Sequence, residues 1–221
     1  MSCLPDEAVA MHGGCHCTAI RYTLSIPRVD ERPVLVESLV EGEPDLLSPI
    51  FCLDHCNDCR KVSGAPVQFW NICSPQFISF SCLKRPENEG RRHATPFPPS
   101  DGDGERVTLT GDQILKPSDL TEKTYLTYYA SSEDVWRTFC SQCGTNMSFV
   151  SVKDLAAFST MDIPLGTLDR EDLERARPTR HVHWNRGIDW VRNLTSEGEK
   201  VFAEKGLPKH PGGNPQMVVE S

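Results

Sequence analysis

A chain of 221 residues, 38% hydrophobic and 24% charged, has enough apolar material for one globular domain carrying an insertion or tails. Its 31 acidic and 23 basic residues leave a net charge of −8, which repels a phosphate backbone, so no nucleic-acid partner is expected. No run approaches the roughly 18 apolar residues that span a bilayer. The opening MSCLPDEAVAMHGG has acids where a secretory signal carries cations. The chain therefore reads as a soluble, cytoplasmic protein with no membrane partner.

In chain order, residues 1–11 are predicted to be a loose leader, with order beginning at Gly13. Ala19 to Ile26 alternates with β-branched and aromatic content and predicts a strand, ended by Pro27. Val34 to Val40 predicts a second strand and Glu41 to Pro44 a turn. QFWNICSPQFISF predicts two short strands around Pro75. From Leu83 to Asp103 the composition shifts to Pro, Gly and charge with little to bury, and residues 83–118 are expected to be a loop insertion. Its basic portion, Lys84 to Arg92, is interrupted by acids and reads as a solvated loop.

Strand patterns resume in RVTLTG, KTYLTYYAS, VWRTFCSQC, GTNMSFVSV and LAAFSTMDI. A single short helix is predicted from Asp169 in LDREDLERAR, with acids at its front and Arg175 and Arg177 at its end, as the helix dipole favours. Residues 196–221 are polar and Pro/Gly-rich and are expected to be a tail. The sum is a mainly β domain over residues 12–195, built of several short antiparallel strands with one short helix near its C-terminal end.

Ten cysteines dominate the chemistry. Cys15 and Cys17 form a C-x-C pair and Cys140 and Cys143 a C-x-x-C pair, with a third cluster, DHCNDCRKVSGAP, between them. A reducing compartment disfavours disulfides, so these spacings read as metal ligands; the disulfide scaffold of a secreted chain is the competing reading. Two such knuckles complete the tetrahedron that structural Zn²⁺ prefers. If the outer pairs share one ion, residue 15 is tied to residue 143 and the middle cluster becomes the candidate for function. Cys3, Cys73 and Cys82 have no partner at metal spacing and read as small buried apolar residues or incidental thiols.

GGCHCTAIRY, the C-x-x-C-R-K-x-S-G-A segment, FCSQCGT, a D-x-P after a strand and an R-H-x-x-W near the end occur in that order from about Gly13 to Leu194. Together they resemble the glutathione-dependent formaldehyde-activating enzyme family, which also includes centromere protein V. The resemblance implies a zinc-stapled, tent-like β fold with two zinc positions and the activity of a carbon–sulfur lyase. It assigns the structural zinc to Cys15, Cys17, Cys140 and Cys143, the set already reached from spacing. The family's second zinc is held by three cysteines of a C-H-C-x-x-C segment, with the fourth position open for chemistry.

Here the sequence departs from the family. The aligned segment is Asp54-His55-Cys56-Asn57-Asp58-Cys59, with Asp54 where the first cysteine would stand. Three arrangements follow: Asp54, Cys56 and Cys59 bind zinc through a harder shell; Cys52 reaches in to restore three sulfurs; or the position holds no ion and the thiols pack. An Asp ligand leaves the metal more electrophilic, which suits a carbonyl or hydroxyl better than a thiol.

Neighbouring residues carry two readings each. Arg60 and Lys61 either lower a cysteine pKa and hold an anionic substrate, or form a solvated turn. Ser63-Gly64-Ala65 reads as a tight turn. His55 is expected to point away from the sulfurs and to be structural. His181 and His183 fall on one strand face by period two and are the candidate proton carriers, His181 matching the family's histidine of this region. Trp184 and Trp190 read as core aromatics or as walls of a substrate cavity.

Two function classes follow. One is a zinc enzyme acting on a small molecule, a glutathione thioadduct or a carbonyl-bearing metabolite. The other is a non-catalytic, zinc-stapled module for protein interaction, as the centromere branch suggests. A chromatin role would need a basic extension, and none is present, so the enzyme class is favoured.

Overall fold

The computed structural model describes residues 4–38, 44–86, 104–151 and 160–197. The chain divides into two compact units, one of Met1–Leu53 with Phe69–His181, the other of Asp54–Gln68 with Val182–Ser221. The fold is mainly β, as the sequence predicts. In chain order its first elements are strands β1 (Val9–Gly14), β2 (Ile20–Ile26), β3 (Val34–Val36), β4 (Leu46–Leu47) and β5 (Ile50–Asp54), then helix α1 (Asn57–Ser63), β6 (Gln68–Cys73) and β7 (Ile78–Leu83). There follow β8 (Arg106–Thr110), α2 (Asp119–Glu122), β9 (Leu126–Ser132), β10 (Val135–Cys140), β11 (Asn146–Ser151), β12 (Met161–Pro164), α3 (Arg170–Leu173), β13 (Arg180–Val182) and α4 (Asp189–Glu197).

The first unit is organised by a four-stranded sheet in the order β1-β2-β7-β8 and a seven-stranded sheet in the order β13-β5-β6-β12-β11-β10-β9, with β3 and β4 as a small pair. Alternation decides which face of the four-stranded sheet is buried. On β2 it is Ile20, Tyr22, Leu24 and Ile26 that point inward, and on β7 Ile78, Phe80 and Cys82. Register places Met11, Leu24 and Ile78 in one row across the strands, and Tyr22, Phe80 and Leu109 in the next. Each such apolar side chain contributes about 1.5–3 kcal/mol when fully buried. Gly13 faces Tyr22, and a Cβ there would lie 2.4 Å from the phenol oxygen, so only glycine leaves room for that ring.

Several sequence boundaries shift. β1 begins at Val9, inside the stretch expected to be a leader, because Val9-Ala10-Met11 alternates and Met11 is wholly buried. Leu4 is also buried, and Arg32 Nη2 donates to the carbonyls of Pro5 (2.6 Å) and Glu7 (3.2 Å). The expected insertion narrows at both ends, since β7 ends at Leu83 and β8 pairs with it from Arg106 onward; residues 87–103 lie outside the described residues. The end of the strand predicted to reach Val40 lies outside them too, as does most of the expected tail, although α4 takes its first two residues.

The single predicted helix is found as α3, and among the described residues three others accompany it. Signals for α1 were present: Asp58 in the first turn, Arg60 and Lys61 in the last, and Gly64 beyond the end in the left-handed conformation (φ 70°). For α2 the signal is a capping box, Ser118 and Thr121 exchanging bonds at its start. Among the described residues no helix is long and apolar enough to cross a membrane.

The acids at the front of α3 are committed to β1 and β2. Asp169 takes a two-pronged contact from Arg21, and its amide donates to the His12 carbonyl (2.8 Å). Asp172 is buried and accepts from the His12 amide (2.7 Å) and from Arg175. Burial alone would raise the Asp172 pKa, but these donors together bring it below the usual carboxylate range. A depressed folded-state pKa contributes stability that is fully present above the unfolded value, near pH 4, and disappears as pH falls through the folded value. Asp172→Asn is therefore expected to cost about 1.5–3 kcal/mol at pH 7, a difference that shrinks toward pH 2. Urea unfolding of both proteins across that range reads it directly.

Candidate metal centres

Both outer cysteine pairs sit on hairpin turns of the first unit. At the β1–β2 turn, Cys15 N donates to Ile20 O (2.8 Å) and Thr18 N to Cys15 O (3.1 Å), with Thr18 in the left-handed region (φ 62°). The Ile20 amide then donates to Cys15 Sγ (3.2 Å). At the β10–β11 turn, Gly144 N donates to Cys140 O (2.8 Å) and Cys140 N to Thr145 O (2.9 Å), with Gly144 at φ 76°. Glycine is the residue that adopts this conformation without strain. Thr145 links the two knuckles, its Oγ1 accepting from the His16 amide (3.2 Å) and lying 3.2 Å from Cys143 Sγ.

The sulfurs of Cys15, Cys17, Cys140 and Cys143 all lie within 4.8 Å of one another. Cys15 and Cys17 are 3.6 Å apart, and Cys17 and Cys140 3.7 Å. A tetrahedral zinc with Zn–S bonds of about 2.3 Å spaces its sulfurs about 3.8 Å apart, so the donor set fits that ion. All nine described cysteines are free thiols, which sets aside the disulfide reading for them.

Protonation follows the same logic. The hydrogen bond from Cys140 pulls the Cys15 thiol down to about 5, while burial pushes Cys17 up to about 12 and donation to Cys15 drives Cys140 up. The four thiols are thus driven in opposite directions, Cys15 and Cys143 down, Cys17 and Cys140 up. A divalent ion removes that conflict by releasing the protons and pairing with the sulfurs.

The middle cluster lies in the second unit. Asp54 ends β5, Cys56 caps α1 and Cys59 lies in the helix's first turn; a carboxylate oxygen and the two sulfurs fall within 4.8 Å of one another. Asp54 is 3% exposed, Cys59 is buried and Cys56 half-buried. Asp54 Oδ1 accepts from the Cys56 amide (2.9 Å) and meets His183 Nδ1 (2.9 Å). Of the alternatives left open by the sequence, Asp54 is the group that joins Cys56 and Cys59; Cys52 is fully buried and is not in this set. One carboxylate and two thiolates suit a divalent metal of borderline softness.

The other sequence candidates divide. Arg60 lies one turn beyond Cys56, its amide donating to Cys56 O (2.9 Å), and its Nε is buried with no hydrogen-bond partner among the described residues. Lys61 is exposed, as the solvated reading expects. His55 is buried, donates its amide to Val182 O (3.1 Å) and meets Trp184 edge-on at 5.2 Å, a structural role.

His181 and His183 do not share a strand face. β13 stops at Val182, and His183 turns into the left-handed region (φ 52°), so period two fails at that residue. His181 belongs to the first unit and His183 to the second. Trp184 and Trp190 are not core, being 38% and 47% exposed. Cys73 and Cys82 are wholly buried, burial pushing Cys82 up to about 12, as inert packing thiols should be. Cys3 lies outside the described residues.

Sequence reasoning missed Thr145 and the pairing of His183 with Asp54. FCSQCGT carried a signal for the first, a hydroxyl two residues after a ligand cysteine. Nothing in TRHVHW announces the turn that produces the second.

No family model matches the chain, and no curated protein matches it. Among solved structures it is similar to the crystal structure of a Rhodobacter sphaeroides protein determined as a structural genomics target. Identity is 13% over 78% of this chain and 100% of that one, with a TM-score of 0.35.

The four-cysteine set gives a direct test. A structural zinc contributes on the order of 10 kcal/mol at neutral pH, comparable with the whole net stability of a domain, about 5–15 kcal/mol. Cys15→Ser and Cys143→Ser are each expected to abolish cooperative unfolding of the first unit, and a strong chelator to do the same to the unaltered chain. Circular dichroism melts and metal analysis check this; a variant that keeps its Tm removes the staple.

Proposed function

We propose that the chain is a two-zinc enzyme of the glutathione-dependent formaldehyde-activating type. One ion at Cys15, Cys17, Cys140 and Cys143 is structural, and a second at Asp54, Cys56 and Cys59 is the seat of carbon–sulfur lyase-like chemistry on a small thioadduct or carbonyl compound. The observation that supports this reading is the contrast between the two donor sets: four sulfurs close a coordination shell, whereas three donors leave one position for a substrate. Bound there, a metal supplies Lewis-acid polarisation of a substrate oxygen or sulfur.

The chain's own residues divide the remaining work. Asp54 fixes the start of α1 through the Cys56 amide, which holds Cys56 and Cys59 one helical turn apart. Arg60, with its buried Nε lacking a protein partner among the described residues, offers a donor to an anionic group on the substrate. His183 faces Asp54 through Nδ1, which leaves Nε2 as the ring nitrogen to move a proton; its side chain is 52% exposed and so reachable from solvent.

Metal analysis of the purified protein is expected to find two zinc ions per chain and of Cys56→Ser one, with the fold retained. Release of free thiol from a hydroxymethyl adduct of glutathione, followed by thiol trapping at pH 7, is expected in the unaltered protein and lost in Cys56→Ser. A single ion per chain that Cys56→Ser leaves in place would overturn the reading.

A further inference from the structure

Resting on the reading of Asp54, Cys56 and Cys59 as an ion site, we infer that His183 is a positioning residue that holds the Asp54 carboxylate in its ligating orientation. A cysteine ligates through one sulfur set by a single side-chain torsion. An aspartate has a second, soft torsion and two oxygens, so its ligating geometry must be fixed from outside. Asp54 receives two such constraints on the same oxygen, the Cys56 amide and His183 Nδ1, each at 2.9 Å. An ionised carboxylate only accepts, so Nδ1 carries the proton and donates. Histidine and carboxylate supporting one another beside a metal is a recurrent outer-shell arrangement, and fixing the oxygen is its effect.

The backbone of His183 carries a second, independent observation. It is one of two non-glycine residues at positive φ among the described residues. Non-glycine residues are sparse there and persist when their surroundings over-determine them. Continued as a strand, residue 183 would share a face with His181; the turn takes it off that face. The turn is held by Arg186 N donating to His183 O (2.9 Å) and Gly187 N to Trp184 O (3.0 Å). Burial does not explain the conformation, since the imidazole is half exposed while the carboxylate it meets is 4% exposed.

Chelator-competed Zn²⁺ and Co²⁺ titrations of the full chain test this, with His183→Gly and His183→Asn as variants. Glycine accepts the backbone conformation but removes the donor. Asparagine tolerates it as well and presents an amide N–H near the place of Nδ1. The unaltered chain is titrated first, and if it binds one ion per chain the second site itself fails, independently of His183.

With two ions bound, His183→Gly is expected to weaken the second by about 10–100-fold, to alter its cobalt d–d bands and to leave the first ion untouched. His183→Asn should recover most of both. A glycine variant that binds the second ion with unchanged affinity and spectrum overturns the inference. So does an asparagine variant that behaves like glycine, which would make the ring itself a ligand.

Discussion

Four sulfurs brought within 4.8 Å of one another, three of them on buried cysteines, cannot all be thiolates without a cation, and as thiols they make weak hydrogen bonds for so much desolvation. That conflict governs the first unit. Its two knuckles are the turns of two hairpins, β1–β2 and β10–β11, whose ladders form from local pairing. An ion at their meeting point would join positions separated by more than half the chain. Closing so long a loop costs entropy that grows only slowly with length, so one strong tie is enough to offset it.

Protein contacts reinforce that tie from outside the sulfurs. The chain from Thr167 to Asp172 is sutured to the strands that lead into Cys15. Tyr22 meets Thr167 at 2.8 Å, Gly13 bridges Leu168, and Asp169 and Asp172 hold Arg21 and the His12 amide. The Thr145 hydroxyl does similar work at the other knuckle. The four sulfurs are thus set in a hydrogen-bonded frame, and the buried rows of the four-stranded sheet run up to them through Ile20 and Tyr22.

Much of this was legible. Strand-like composition located β2, β6, β7 and the run from β8 to β12, most plainly in β2 and β7, where alternate residues are buried and register cannot slip without exposing the apolar set. Cysteine spacing found both groups that could hold a metal for a reason independent of fold: two sulfurs two or three residues apart can reach one point. What failed was local. α1 hid inside a segment read for its ligands, where Arg60, Lys61 and Gly64 read as site residues and not as helix punctuation. β1 hid in a polar start whose alternation spans only Val9 to Met11. The His181–His183 pairing failed because period two assumes continued extension, and one left-handed residue breaks it.

Asp54 is where local structure and chemistry meet most closely. Replacing a thiolate by a carboxylate leaves the formal charge of a three-ligand zinc shell unchanged at −1, so net charge is not what distinguishes this site from an all-cysteine one. The difference lies in what the ligand does besides ligate. Carboxylate oxygen is a strong acceptor and sulfur a weak one. Asp54 can therefore start α1 through the Cys56 amide and take His183 at the same oxygen, two bonds that a cysteine sulfur would accept more weakly. Each of those donors also draws electron density from the carboxylate. A metal held in this way would receive less from its ligands than one held by three sulfurs, and would polarise a bound oxygen more strongly. If Asp54, Cys56 and Cys59 hold a metal, the carboxylate in place of a third sulfur would shift the site's preference from sulfur toward oxygen.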